Sequence, residues 1–227
     1  MCGLTREADV DAAVEAGADA VGFVLYAASP RHVSAARAAQ LARRLPPLVT
    51  PVLLFVNPDA TEVIAACAEV AGAVVQFHGD ESPELCARAA AGHPWWRAAR
   101  LPTAGSTDSF DLLQFTQLHS QAHAILLDAQ SAGFGGSGKV FDWLRLPTSV
   151  NAHLVLSGGL DAANVGDGIA HLRGLGRSLT VDVSSGIEAR DASGQLLRGI
   201  KDAARMRAFV DAVRTADTSF RSRQKTP

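Results

Sequence analysis

The chain alternates short apolar runs with longer segments in which apolar residues recur at helical spacing. Residues 20–25 (AVGFVL) are continuously apolar, which is typical of a strand covered on both faces. Residues 6–16 carry apolar side chains on one helical face, with Thr5 before them as a predicted N-cap and Gly17 after them as a helix-ending residue. These two segments predict one helix followed by one buried strand.

The same order of helix and strand repeats along the rest of the chain. We predict strands at residues 20–25, 51–56, 73–77, 95–100, 124–127, 153–156 and 179–183. We predict helices at residues 6–16, 35–45, 59–70, 81–91, 110–119, shortly after 141, and at 162–172 and 201–213. Successive strands recur roughly every 22–32 residues, about the length of one βαβ unit.

The repeat indicates the domain organisation and the fold class. No change of composition marks a linker, so residues 1–214 are predicted to form a single (βα)8-type barrel domain. The chain starts on a loop that ought to follow another strand, which indicates a TIM barrel with strand 1 missing or truncated. Residues 215–227 lose the apolar periodicity and are predicted to be a flexible C-terminal tail. An open doubly wound sheet is the alternative, but the G-x-G-x-x-G fingerprint is absent after the first strand.

Composition and charge narrow the partners. The chain has 227 residues, of which 48% are hydrophobic and 19% charged, with a net charge of −2, and its Lys and Arg residues are scattered. A small-molecule ligand is therefore favoured over a nucleic acid or a membrane. Three cysteines without a C-x-x-C pair suit a reducing compartment, and we predict a cytoplasmic protein. The seven histidines show no metal-ligand spacing, so we expect no metal.

Two strand ends near the C-terminus run into small residues. Residues 181–188 (VDVSSGIE) and 154–159 (LVLSGG) each join an apolar strand to residues with accessible backbone N–H groups. Either stretch alone could be an ordinary tight turn. Side by side, the two could enclose one phosphate with backbone amides.

Polar residues at other strand ends could carry chemistry, because barrel active sites lie at the C-terminal ends of the strands. Asp128 could act as an acid or could cap a loop, and Cys2 could act as a thiolate base or be a small buried residue. Arg31 could pair with a substrate carboxylate or be solvated. His78 could titrate near neutral pH or have a structural role.

Residues 133–139 (GFGGSGK) are rich in glycine but do not form a nucleotide-binding loop. The lysine is followed by Val140 instead of Ser or Thr, and the helix that follows is short, whereas a Walker loop opens a long helix. We interpret the segment as a mobile active-site loop.

Taken together, the motifs resemble those of phosphoribosylanthranilate isomerases of tryptophan biosynthesis. The matching stretches run in order from Cys2 to about residue 213, and comprise residues 2–5 (CGLT), 22–23, 29–31 (SPR), 75–79 (VQFHG), 127–128, 135–138 (GGSG), 141–143 (FDW), 156–165 and 182–188 (DVSSGIE).

The resemblance implies an Amadori rearrangement without a cofactor, by an enzyme that is a monomer or a homodimer. Asp128 is implied as the general acid, Cys2 as the general base, and Arg31 as the ligand of the anthranilate carboxylate. Asp182 would lie near the substrate. Backbone amides would hold the phosphate, at Gly158, Gly159, Ser185 and Gly186.

One departure from the family concerns its first strand, which precedes the cysteine. Here Met1 is followed directly by Cys2. We therefore expect the natural protein to begin upstream, and we expect Cys2 to be poorly held in this chain because two strand edges are left unpaired. Two other functions are considered: a phosphate-ligand-binding barrel without turnover, and another phosphosugar isomerase, which the combination of Cys2, Asp128 and Arg31 disfavours.

Overall fold

Helices and parallel strands alternate along the chain. The computed structural model describes residues 1–103, 106–129, 141 and 146–223, with only the backbone of 219–223. The strands are β1 (Ala20–Val24), β2 (Thr50–Phe55), β3 (Val74–Phe77), β4 (Trp95–Leu101), β5 (Ala124–Ala129), β6 (His153–Leu156), β7 (Ser178–Val181), β8 (Glu188–Arg190) and β9 (Leu196–Lys201). The helices are α1 (Glu7–Ala16), α2 (Ala35–Ala42), α3 (Ala60–Glu69), α4 (Pro83–Ala90), α5 (Leu112–Leu118), α6 (Val165–Leu172) and α7 (Ala203–Arg223).

Strands β1 to β7 form one parallel sheet in chain order, so each strand pairs with the next one along the sequence. Helices α2 to α5 provide the long crossovers between the first five strands, and α6 provides the one between β6 and β7. Helix α3 packs against α2 and α4, and α7 contacts both α6 and α1. The last helix therefore joins the two ends of the outer layer.

The strands have two apolar faces, which explains their continuously apolar sequences. On β5, Ile125 and Leu127 belong to the large core between sheet and helices. The alternate residue Leu126 belongs to a separate cluster with Val155 of β6, on the opposite face of the sheet. Since side chains alternate along a strand, Asp128 shares the face of Leu126, two residues nearer the carboxyl end.

The first two residues bridge the edges of the sheet. The Cys2 amide donates to the carbonyl of Val183, just after β7, at 2.9 Å. On the other side, the Gly22 amide of β1 donates to the Met1 carbonyl at 2.8 Å, and the Met1 amino group donates to Ala20 at 2.9 Å. Cys2 is buried, with 8% of its surface exposed. The expectation that Cys2 is poorly held is therefore wrong, because two residues suffice to reach both strands.

The predicted elements recur with small shifts at their ends. Strand β6 has the predicted bounds, and Ser34 caps α2 by accepting from the Arg37 amide. Thr5 does not cap α1; its hydroxyl donates to the Gly199 carbonyl at 2.8 Å, and Arg6 occupies the cap position. The glycine-rich loop and the short helix after 141 lie outside the described residues.

The C-terminal region differs from the prediction in two ways. An antiparallel hairpin of β8 and β9 precedes the last helix, and Lys201, predicted to begin that helix, ends β9. Strand β8 has only three residues, and the apolar residues of β9 (LLRGIK) are interrupted by Arg198 and Gly199, so neither strand has the continuous apolar run of a barrel strand. Helix α7 continues to Arg223, so residue 214 lies inside it. An established helix adds residues cheaply, even without an apolar stripe. The flexibility of 215–227 stays a prediction.

We predict that His119 makes stability depend on pH. Burial, with the charge of Arg97 as a smaller cause, lowers the pKa of His119 to about 4. Unfolded histidine takes up a proton as the pH falls through about 6.5. The free energy of unfolding should therefore decrease from about pH 7 towards pH 4, because the unfolded state binds more protons in that interval.

Urea unfolding at pH 7 and pH 5 checks this expectation. The wild type should lose more stability over this interval than the variant His119→Gln. The exposed His153 provides the control His153→Gln, which should behave like the wild type. Equal losses in all three proteins would contradict the prediction.

Candidate active site

The predicted site residues converge on one cavity at the carboxyl ends of the strands. Val24, Tyr26 and Leu54 supply part of its apolar wall. Seven of the eight predicted residues line it, namely Cys2, Arg31, Asp128, Gly158, Gly159, Asp182 and Ser185. The eighth, Gly186, lies next to Ser185 and packs against the backbone of Leu160.

Asp128 is held by a chain of buried hydrogen bonds. Its Oδ2 lies 3.0 Å from Nε2 of His78, and the His78 Nδ1 lies 3.0 Å from Nε2 of Gln76. With the Gln76 amide assigned in this orientation, Nδ1 accepts and Nε2 carries the proton that is donated to Asp128. The other carboxylate oxygen accepts from the Ala129 amide at 2.9 Å. Asp128 therefore has a fixed orientation, with a hydrogen-bond donor at each carboxylate oxygen.

Cys2 lies in the same cavity as a protonated thiol. Burial, and to a smaller extent the negative charge of Asp182, raise its pKa to about 12, against the smaller opposing effects of the N-terminal ammonium, Lys201 and Arg31. Asp182 accepts a hydrogen bond from the Ser157 hydroxyl at 3.1 Å. Cys2 can accept a proton only after another group or a ligand favours its thiolate.

Arg31 is buried, so the solvated alternative is wrong. Its Nε and Nη2 donate to the two carboxylate oxygens of Glu188 at 2.6 and 3.0 Å. The Ser29 hydroxyl accepts from the Arg31 amide at 3.1 Å. Arg31 reaches the cavity wall while its guanidinium is fixed from behind by an internal carboxylate.

The two small-residue stretches lie side by side, as the sequence indicates. Strands β6 and β7 are paired, with Leu156 opposite Val181. After β6, Gly158 and Gly159 both have positive φ, at 78° and 67°, a conformation that glycine adopts without strain. After β7, Ser185–Ile187 form a 3₁₀ turn. Backbone N–H groups from two neighbouring loops can therefore face one anion.

Comparison with known proteins identifies the family. The model of the N-(5'-phosphoribosyl)anthranilate (PRA) isomerase family matches residues 1–212. The chain belongs to this family. The N-(5'-phosphoribosyl)anthranilate isomerase of Methylibium petroleiphilum is 58% identical over 217 residues, which cover 96% of this chain and 93% of the relative.

Two solved structures of PRA isomerases resemble this one. A PRA isomerase in complex with reduced 1-(o-carboxyphenylamino)-1-deoxyribulose 5-phosphate has a TM-score of 0.71 and 32% identity, and the match covers 94% of this chain and 96% of that chain. A monomeric form of the dimeric enzyme from Thermotoga maritima has a TM-score of 0.71 and 31% identity, with the same coverage. The predicted family is confirmed. The predicted (βα)8 barrel is also confirmed, with strand 1 reduced to Met1 and Cys2.

Sequence reasoning missed the residues that support the site. Glu188 pairs with Arg31 and with Lys201, and Ser157 donates to Asp182. Glu188 ends the DVSSGIE stretch, which was a usable signal, but Lys201 has no local pattern to distinguish it. Over the described residues, no group of three or more His, Cys, Asp or Glu is arranged to hold a metal ion.

We predict that Asp182 controls the acidity of Cys2. In Asp182→Asn the thiol pKa should fall, because the carboxylate that raises it is removed. The rate of Cys2 alkylation by iodoacetamide, followed over pH by peptide mass spectrometry, should therefore rise at a lower pH than in the wild type.

The control is Asp161→Asn, which changes a carboxylate that binds the backbone of Ala163 and Asn164. Its alkylation profile should match that of the wild type. An unchanged profile in Asp182→Asn would contradict the predicted coupling.

We also predict that Gly158 has no room for a methyl group. An ideal Cβ there would lie 2.6 Å from the Ala129 amide nitrogen and 2.7 Å from Oδ1 of Asp128. Gly174 is a matched control, since its φ is +94° but nothing lies within 4 Å of its ideal Cβ. Gly158→Ala should lose more stability in urea unfolding than Gly174→Ala, whose backbone strain alone costs about 1–3 kcal/mol. Equal losses would show that the loop after β6 can move away from Asp128.

Proposed function

We propose that the chain catalyses the Amadori rearrangement of N-(5'-phosphoribosyl)anthranilate to 1-(2-carboxyphenylamino)-1-deoxyribulose 5-phosphate in tryptophan biosynthesis. One observation carries the proposal beyond family membership. The buried Asp128 carboxylate, which is hydrogen-bonded to His78, and the Cys2 thiol line the same cavity. The two loops after β6 and β7, which suit an anion, line it as well. The reaction needs an acid, a base and a phosphate-binding site within one cavity.

The reaction begins with the opening of the ribose ring. Asp128 donates a proton to the ring oxygen, the C1–O bond breaks, and the anthranilate nitrogen forms a protonated Schiff base at C1. Asp128 gives this proton in its protonated form, and His78, whose Nε2 lies 3.0 Å away, can donate a hydrogen bond to the carboxylate that remains.

Cys2 removes the proton from C2 in the second step. The C2–H bond breaks and its electrons form the C1–C2 double bond, while the electrons of the C1=N double bond return to nitrogen. The resulting enolamine then tautomerises to the ketone. With a pKa of about 12, only a very small fraction of Cys2 is thiolate, the basic form, at neutral pH. The positive Schiff base in the cavity would favour the thiolate, because opposite charges attract strongly in a buried site.

The two ends of the substrate have separate ligands in this proposal. Arg31 holds the anthranilate carboxylate, and Asp182 lies beside the reacting carbons. The phosphate is held by backbone amides, at Gly158, Gly159, Ser185 and Gly186. These two anchors place the ring oxygen and C2 between Asp128 and Cys2.

The enzyme is further proposed to act in the cytoplasm as a monomer or homodimer, on a small-molecule phosphoribosyl substrate and without nucleic acid or membrane. Cys2, Cys67 and Cys86 are all free thiols, which suits a reducing compartment. No helix in the described part of the chain is long and apolar enough to cross a membrane.

Loss of the fluorescence of N-(5'-phosphoribosyl)anthranilate tests the function. We expect turnover by the wild type and a decrease in kcat of at least about 10²-fold in Asp128→Asn and in Cys2→Ala, the usual contribution of a general acid or base. Both variants should still bind the reduced product analogue. The control Cys67→Ala, in α3, should keep near wild-type kcat.

Two results would contradict the proposal. Binding of the analogue by the wild type without turnover would favour a phosphate-ligand-binding barrel. Turnover of other aldose phosphates, but not of N-(5'-phosphoribosyl)anthranilate, would favour another phosphosugar isomerase.

A further inference from the structure

Three charged side chains form a buried cluster behind the cavity wall: Arg31, Glu188 and Lys201. The side chains of Glu188 and Lys201 are completely buried, and that of Arg31 is 7% exposed. Glu188 accepts from Arg31 through both oxygens, from the Gly199 amide at 2.9 Å, and from Lys201 Nζ at 3.4 Å. One carboxylate thus lies between two cations, which leaves the cluster with a formal charge of +1.

The cluster connects two parts of the cavity wall. Arg31 lines the cavity on one side. On the other side, Lys201 Nζ donates to the Ser184 carbonyl at 2.7 Å, immediately before the 3₁₀ turn Ser185–Ile187. Glu188 follows that turn directly in sequence. Lys201 therefore fixes the start of the turn and Glu188 fixes its end, while Glu188 also fixes Arg31.

The hairpin of β8 and β9 places these groups. Glu188 and Lys201 are cross-strand partners in the antiparallel pair, and the Lys201 amide is tied to Asp9 of α1 at 3.2 Å. Burying three charges is costly, and an apolar cluster of the same volume would often be as stable. The cluster is therefore better explained by what it positions than by the stability it adds.

We propose that Glu188 and Lys201 are positioning residues that couple the two anchors of the substrate, Arg31 for the carboxylate and the Ser185–Gly186 backbone, which follows Ser184, for the phosphate. This inference rests on the proposed function for the identity of the two anions. Neither residue touches the substrate. Lys201 also leaves an excess positive charge beside Ser184, which favours an anion there.

Two variants separate the parts of the cluster. Lys201→Met removes the contact to Ser184 and leaves the Arg31–Glu188 pair intact. Glu188→Gln removes the charge that holds both cations. Inorganic phosphate and anthranilate serve as probes, each titrated as a competitor of the reduced product analogue in an equilibrium binding assay, at a temperature where circular dichroism shows every variant folded.

We expect both probes to bind more weakly to both variants, but the probe that is affected more should differ between the two variants. Lys201→Met should raise the dissociation constant of phosphate about tenfold and that of anthranilate less. Glu188→Gln should raise that of anthranilate about tenfold and that of phosphate less, the size of effect that one hydrogen bond to a charged group produces. Lys201→Arg should restore part of the phosphate affinity. A merely destabilised fold would not produce this crossed order or the rescue.

Glu81 provides the matched control, because it is also completely buried and pairs with Arg97 at 3.3 Å. Glu81→Gln should leave both dissociation constants unchanged. The proposal is overturned if each variant affects only one probe, if neither probe moves, or if Glu81→Gln gives the same effects. The assay measures binding without turnover, so a wild type that binds both probes but converts no substrate would overturn the proposed function and leave this inference standing.

Discussion

The backbone hydrogen bonds of Met1 and Cys2 are the constraint on which the cavity depends. Strands β1 and β7 are the two edges of a seven-stranded parallel sheet, and these two residues reach from Gly22 on one edge to Val183 on the other. An edge left unpaired at this level would expose backbone donors and acceptors. The hydrogen bonds that satisfy these donors and acceptors also bring the Cys2 side chain to the cavity at the carboxyl ends of the strands. The same contacts therefore connect the two sheet edges and position the thiol.

Two separate groups of polar side chains lie around the cavity. On the side of β3 and β5, Gln76, His78 and Asp128 form a linear chain of neutral and acidic groups suited to moving a proton. On the side of β7 and the hairpin, Arg31, Glu188 and Lys201 form a compact set of charged groups suited to holding anions. Cys2 and Asp182 lie in the same cavity as both. Proton transfer and anion recognition therefore rest on different supports, and each can be altered by substitution without direct contact with the other.

The barrel strands and helices could be predicted from the sequence because their signal is local. A parallel strand buried on both faces is continuously apolar, and a crossover helix has its own periodicity and caps, as Ser34 shows for α2. The site residues Asp128 and Gly158 could be predicted for a related reason, since the end of a barrel strand lies at the mouth by topology. The family motifs added roles to these positions, and those roles are proposals for this chain.

The hairpin and the buried charges could not be predicted in this way. Lys201 approaches Glu188 only through antiparallel pairing of β8 and β9, and neither strand has a clear hydrophobic period. Arg31 illustrates the limit: its sequence neighbourhood allows a solvated side chain, and the partner that buries it lies 157 residues away. The local hydrophobic pattern of a sequence does not indicate which polar groups pair over long distances along the chain. Such pairs are therefore seen only in the folded structure.

The pairing of Arg31 with Glu188 has a consequence for conformational entropy. A free arginine side chain samples many rotamers, and ordering it on a ligand costs about 0.5–1.5 kcal/mol. Here two charged hydrogen bonds to the protein's own Glu188 hold the guanidinium, at 2.6 and 3.0 Å. The rotamer entropy of Arg31 is therefore lost when the chain folds. Any ligand of this guanidinium would meet an ordered side chain, at the expense of folding stability, and the hairpin is the element that provides the order.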